Sequence, residues 1–269
     1  MAGAIWVRIR HVFSVSVSGG RLNGEVRGEH PALVFIHGFG GSLTGWNALW
    51  QVLPPDLAML RYDLRGFGAS AAEDGAAFSH ADDLLALLDD QGIERADLVG
   101  LSMGGGIAVN FALDHPARVR RLVLVSPALQ GWEWSAEWRE IWRATSKCAR
   151  GGDMAGAREL WWQHPFFAST RAGPAAGALR TEIDAFAGKQ WRHSDERAVL
   201  PDLDRLHQLS APTLLLTGAL DFPDFRLIGD LLEAAAPDLR RVDFADAGHM
   251  LHLERAEDVA REIMGFMGS

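Results

Sequence analysis

The stretch Val99-Gly100-Leu101-Ser102-Met103-Gly104-Gly105-Gly106 constrains this chain more than any other. An apolar, strand-like run (Ala96, Leu98, Val99) leads into it, and a helix-compatible run with Ile107, Ala108, Phe111 and Ala112 follows. A strand that turns into a helix within a few residues holds the residue at the bend in a strained conformation. The positions two away on each side must then be nearly free of side chain. Gly100 and Gly104 meet that demand around Ser102. The helix beginning beside Ser102 also points backbone N–H groups, and its positive dipole end, at the place where negative charge develops in acyl transfer.

Strands and helices alternate on both sides of the bend. Ile5 to Val17 alternates apolar residues with Arg, His and Ser, as a strand with one solvated face does, and Arg21 to Val26 reads as its return. Leu33 to Ile36 is an unbroken apolar run, expected of a strand buried on both faces, and it ends in the glycine-rich loop His37-Gly38-Phe39-Gly40-Gly41. Trp46 to Val52 reads as a short helix. Ala58 to Tyr62 is a strand that enters a second glycine-punctuated loop, Asp63 to Ser70. Ala81, Leu84, Leu85 and Leu88 share one helix face, and Arg121 to Val125 is the next strand. This order predicts an α/β fold with a parallel sheet between helices.

From about residue 128 to 206 the strand-like runs disappear. Seven of the ten tryptophans fall there, and Trp134, Trp138 and Trp142 recur every four residues as a stripe on one helix face. The economical description is a core of residues 1–127 and 207–269 with a helical insertion, 128–206, acting as an apolar lid. After it, Pro212 to Thr217 and Arg241 to Phe244 read as strands. Leu227, Ile228, Leu231, Leu232 and Ala235 read as one helix face, and Val259, Ile263 and Phe266 as that of a terminal helix.

A formal charge of −9 without a Lys/Arg cluster argues against nucleic acid or an anionic membrane as partner. The single cysteine, Cys148, excludes an internal disulfide framework. Residues Met1 to Ser18 lack an apolar run of signal-peptide length, and no stretch approaches the roughly 20 apolar residues of a membrane span, so a cytoplasmic protein is expected.

A serine hydroxyl is a poor nucleophile near neutral pH and needs a base, itself oriented by a third group. Ala247-Gly248-His249-Met250 places His249 in a loop between a strand and the terminal helix, with His252 as its rival. The two histidines have no third ligand at suitable spacing, so no metal or other cofactor is expected. Asp221 closely follows the strand Pro212 to Thr217. Asp224, three residues later, is the competing carboxylate, but it also reads as the N-cap of a helix starting near Phe225, and Asp221 is preferred as the third group. His37 reads as a brace within its glycine-rich loop.

The order Ser102, Asp221, His249, together with His37-Gly38-Phe39-Gly40, Asp63 to Ser70, Gly100 to Gly105, Gly218 to Asp221 and Gly248-His249, resembles the α/β-hydrolase superfamily over essentially the whole chain. The resemblance implies a mostly parallel sheet of about eight strands flanked by helices, a helical lid after the sixth, and an oxyanion hole made by the backbone N–H groups of Phe39 and Met103. The elbow is similar to those of 3-oxoadipate enol-lactonases and esterases. Meta-cleavage carbon–carbon hydrolases usually carry Asn where this chain has Leu101. The menaquinone-pathway lyase of this fold typically carries Arg where it has Gly106. The expectation is a serine hydrolase in the esterase and lactonase-like branch, acting on a small, largely apolar ester, lactone or activated carbonyl compound. Trp134, Trp138, Trp142 and Trp162 are the candidate substrate contacts. A lyase or carbon–carbon hydrolase using the same triad, and a ligand receptor without catalysis, are the alternatives.

Overall fold

The computed structural model describes residues 10–268. It contains β1 (Arg10–Val17), β2 (Gly20–Arg27), β3 (Leu33–Ile36), β4 (Met59–Asp63), β5 (Ala71–Ala72), β6 (Ala96–Leu101), β7 (Val119–Val125), β8 (Thr213–Gly218) and β9 (Leu239–Phe244). All belong to one sheet of order β1-β2-β4-β3-β6-β7-β8-β9, with β5 paired to β2 off that path. β1, β2 and β4 pair antiparallel, and every pairing from β4 to β9 is parallel. The helices are α1 (Asn47–Val52), α2 (His80–Asp90), α3 (Met103–Asp114), α4 (Ala136–Arg150), α5 (Met154–Trp162), α6 (Ala168–Ala172), α7 (Ala176–Ala185), α8 (Lys189–Arg192), α9 (Pro223–Ala235), α10 (Leu251–Glu254) and α11 (Ala256–Met267).

The central strands are built around short apolar runs. Val34, Ile36, Leu98, Val99, Leu122 to Val125 and Leu214 to Leu216 are all fully shielded from solvent, as parallel strands covered on both faces must be. The chain leaves β3 for β4 on one side and returns to β6 on the other, which opens a crevice beyond the carboxyl ends of these strands. Ile36 pairs with Gly100, so the loops that follow them emerge side by side.

Eight strands lie on the main path, and the ninth, β5, is too short to carry a periodic signal. Residues Ile5 to Ile9 of the first expected strand lie outside the described residues. Between β7 and β8 the chain forms α4 to α8 and short 3-10 turns, with an isolated bridge from Phe78 to Glu196 as its one β pairing among the described residues. One helix face differs from the sequence reading. In α9 the residues turned to the core are Phe225, Ile228, Gly229 and Leu232, whereas Leu227 is exposed. The contiguous apolar pair Leu227-Ile228 straddles the edge of that face, and sequence periodicity does not decide which member turns inward.

Candidate active site

Ser102 sits between β6 and α3 with φ 52°, ψ −116°, in the left-handed region that a residue bearing a Cβ enters only under constraint. Its N–H donates to the Val125 carbonyl at 3.0 Å, and its own carbonyl accepts from Gly106 and Ala128 at 3.1 and 2.9 Å. The two flanking glycines are there for space. A Cβ on Gly100 would stand 2.7 Å from the Gly105 Cα, and one on Gly104 would collide with the Ile36 carbonyl and lie 2.6 Å from that of His37. The bend is thus packed directly against the β3 loop, and a Cβ at Gly38 would come within 3.3 Å of the Ser102 Cβ. Helix α3 starts at Met103, so the Met103 N–H has no carbonyl one turn back to accept it.

His37 ties the two glycine-rich loops together. Its Nε2 accepts from the Leu64 N–H at 3.0 Å, which leaves Nδ1 protonated to donate to the Gly38 carbonyl at 2.8 Å. Burial holds its pKa below the ordinary histidine value, consistent with a neutral ring used as a brace. Asp63 ties the same loops from the other side by accepting from the N–H groups of Leu43 and Ala69 at 2.7 and 2.8 Å.

Asp221 and His249 meet although they belong to different loops. A Cβ on Gly218, at the end of β8, would stand 2.5 Å from the Ala247 carbonyl, so only glycine lets the histidine loop lie across the end of that strand. His249 Nδ1 then lies 2.9 and 3.0 Å from the two Asp221 oxygens. A carboxylate only accepts, so Nδ1 carries the proton and Nε2 is left as the bare ring nitrogen. The Phe222 N–H, 2.6 Å from Asp221 Oδ1, fixes the carboxylate. Phe166 and Phe225 pack on the imidazole at 4.6 and 4.2 Å between ring centres. His249 Nε2 is buried without a hydrogen-bond partner. Apo sites often leave this bond open until substrate is bound.

Ser102 and His249 border one cavity of about 600 Å³, of the size that holds a small organic ligand. Its floor includes Phe39 and Met103, and the insertion contributes Trp134, Trp138, Trp142 and Trp161. Trp162 does not reach it. Successive residues on a helix point about 100° apart, so α5 buries Trp161 and turns Trp162 toward Arg171 and Arg180, whose guanidiniums lie 5.9 and 5.5 Å from its ring. The Phe39 side chain packs edge-on against Trp142, Trp161 and Phe186 at 4.9, 5.5 and 5.3 Å, so the β3 loop is pinned by the insertion.

A family model described as alpha/beta hydrolase fold matches residues 31–148. The chain is 31% identical over 259 residues to the 2-succinyl-6-hydroxy-2,4-cyclohexadiene-1-carboxylate synthase of Enterobacter sp. (strain 638), a match covering 89% of this chain and 93% of that one. The chain belongs to the alpha/beta hydrolase fold family. This alpha/beta hydrolase is also 41% identical over 121 residues to the 2-hydroxymuconate semialdehyde hydrolase of Pseudomonas sp. (strain CF600), but the match covers only 42% of each chain. Among solved structures it superposes on the enol-lactonase from Burkholderia xenovorans LB400 with a TM-score of 0.80 and 25% identity, covering 96% of this chain and all of that one.

Three polar groups of this alpha/beta hydrolase escaped sequence reading. Asp224 is not an N-cap. Helix α9 starts two residues earlier, at Pro223, and the Asp224 carboxylate accepts from Trp132 Nε1 and the Ser135 N–H at 3.0 and 2.9 Å, holding the entry to the insertion. Glu254 accepts from Ser169 Oγ and Thr170 Oγ1 of α6 at 2.7 and 2.6 Å and from the Gly248 N–H at 2.8 Å. It therefore joins the insertion to the residue before His249. Glu182 of α7 borders the cavity, and burial pushes its carboxyl up to about 7. His252, the rival of His249, packs against Trp46 at 5.0 Å between ring centres, and burial followed by the neighbouring His249 lowers its pKa to about 3.

Proposed function

We propose that the protein is a serine hydrolase that cleaves a small, largely apolar ester or lactone through an acyl-enzyme on Ser102. The observation that carries this reading is one apolar cavity bordered both by a strained elbow serine and by a histidine whose Nδ1 is held by a buried carboxylate. His249 Nε2 takes the Ser102 proton as Oγ attacks the carbonyl carbon, then gives it to the leaving alcohol, and later draws a proton from the water that frees the acid. Asp221 steadies the imidazolium. The N–H groups of Phe39 and Met103 receive the oxyanion, and the tryptophans of the insertion cover the hydrocarbon part of the substrate as an apolar lid.

A second reading has the same serine and histidine act as a base on a carbon acid, and the likeness to the Enterobacter synthase favours it. Against it, a Cβ at Gly106 would stand 2.9 Å from the Ala128 carbonyl, so a carboxylate-binding arginine has no room at that position.

Hydrolysis of a p-nitrophenyl ester series decides between them. With the apolar cover engaged, each added methylene is worth about 0.8 kcal/mol, about a fourfold gain in kcat/KM, until the cavity is full. A flat series at barely detectable turnover would count against the esterase.

A further inference from the structure

One carboxyl in the cavity wall has no role in the steps above. Glu182 borders the same cavity as Ser102 and His249, and its Oε1 is closed off from solvent without a hydrogen-bond partner. The pocket around it is built to admit it. A Cβ at Gly45 would collide with Glu182 Oε1 and stand 3.1 Å from Cδ and 3.2 Å from Oε2, so the carboxyl, Oε1 foremost, fills the space that a side chain at position 45 would take. Gly45 leads into Trp46, and Trp46 packs on His252, whose Nδ1 is likewise buried and unpaired. Glu182 Oε1, Trp46 Nε1 and His252 Nδ1 are thus three buried polar atoms without partners on residues that border the cavity together with the apolar Leu179 and Ile183. A buried acceptor left unpaired destabilises the wall around it, and a ligand donor removes that cost. That Glu182 is pushed up to about 7 reflects the same isolation: no cation compensates its burial.

We propose that Glu182, with Gly45, Trp46 and His252 around it, is a subsite for a hydrogen-bond-donating group of the substrate, a hydroxyl or an amine. The preferred substrate would then be bifunctional: an apolar body with the reacting carbonyl at Ser102 and a donor at the Glu182 end. The proposal deepens the hydrolase reading by naming its substrate class.

Calorimetry on Ser102→Ala, compared with Ser102→Ala carrying Glu182→Gln or Glu182→Leu, tests it without turnover. The ligands are hexan-1-ol, hexane-1,6-diol and 6-aminohexan-1-ol. The subsite predicts that the diol or the amino alcohol binds at least about tenfold more tightly than hexan-1-ol, and that Glu182→Leu abolishes or reverses the ratio. A hydroxyl-binding site keeps the diol preference in Glu182→Gln, whose carbonyl still accepts. An amine-binding site loses the amino alcohol in Glu182→Gln, because the charge is gone. Ratios unchanged by both substitutions, or hexan-1-ol the tightest ligand throughout, would overturn the proposal. The same ratios should appear in wild-type kcat/KM for p-nitrophenyl hexanoate against its 6-hydroxy and 6-amino derivatives. A binding ratio that Glu182→Leu removes, in a protein that hydrolyses none of these esters, would leave the subsite standing and sink the hydrolase reading alone.

Discussion

Removing the Glu254 carboxylate should loosen the insertion and the His249 loop together. It accepts three hydrogen bonds, two from the hydroxyls of Ser169 and Thr170 and one from the Gly248 N–H next to His249. A bond to a charged acceptor contributes about 1.5–3 kcal/mol when buried. Glu254 is half-buried and its three bonds share one carboxylate, so their effects do not add. We therefore expect Glu254→Ala to cost about 3 kcal/mol and, for a chain of this size, to lower Tm by about 6–12 °C. Glu254→Gln should cost only about 1 kcal/mol. Its carbonyl can take the Ser169 and Gly248 donors, while its amide faces Thr170 Oγ1, a hydroxyl able to accept instead. Calorimetric unfolding and kcat/KM on the best ester measure both effects, and activity should fall further in the Ala variant than in the Gln one. An Ala variant indistinguishable from wild type in Tm and kcat/KM, or a Gln variant as damaged as the Ala one, would refute the coupling.

Three further outcomes follow from packing and titration. Gly104→Ala drives a Cβ into the Ile36 and His37 carbonyls, which should cost about 3 kcal/mol in Tm-derived stability and depress kcat by displacing the Phe39 loop; a neutral substitution would contradict the packing argument. His80, His164 and His252 are all lowered to about 3 by burial first, so between about 3 and the ordinary histidine value near ~6.5 the folded chain binds fewer protons than the unfolded one. Stability should fall as pH drops through that window, and a urea midpoint that holds constant from about pH 7.5 to about pH 5 would refute this. Glu182 has the opposite sign: raised to about 7, it binds an extra proton in the folded state from its ordinary value near ~4.3 upward, so it costs stability as pH rises. The Tm advantage of Glu182→Gln over wild type should accordingly grow from about pH 5 to about pH 8, and a constant difference would count against a raised Glu182.

The parts of the fold that could be read beforehand are those written in contiguous residues. β3 and the Leu214 to Leu216 stretch of β8 are unbroken apolar runs, β6 carries Leu98 and Val99 next to Asp97, and the elbow carries its own steric requirement in Gly100 and Gly104. Asp221 and His249 could be named from chain order, since each follows closely on a strand end. What failed depended on helix phase. Moving the start of α9 by two residues changes Asp224 from a cap into a clamp on Trp132, and a rotation of about 100° decides between Trp161 and Trp162. The Glu254 contact with α6 joins residues more than 80 positions apart, and Glu182 stands alone in the sequence with no motif around it. Neither follows from periodicity, because both arise where the insertion meets the core.

The central claim is that Ser102 is the nucleophile and His249 its base, and covalent trapping tests it most directly. Wild-type protein treated with diethyl p-nitrophenyl phosphate should take up one diethylphosphoryl group per chain, located on Ser102 by peptide mass mapping, as ester hydrolysis is lost in parallel. Ser102→Ala should stay unlabelled, and His249→Ala should label at least about a hundredfold more slowly because the hydroxyl lacks its base. Equal labelling of Ser102→Ala, or full ester hydrolysis by that variant, would contradict the account.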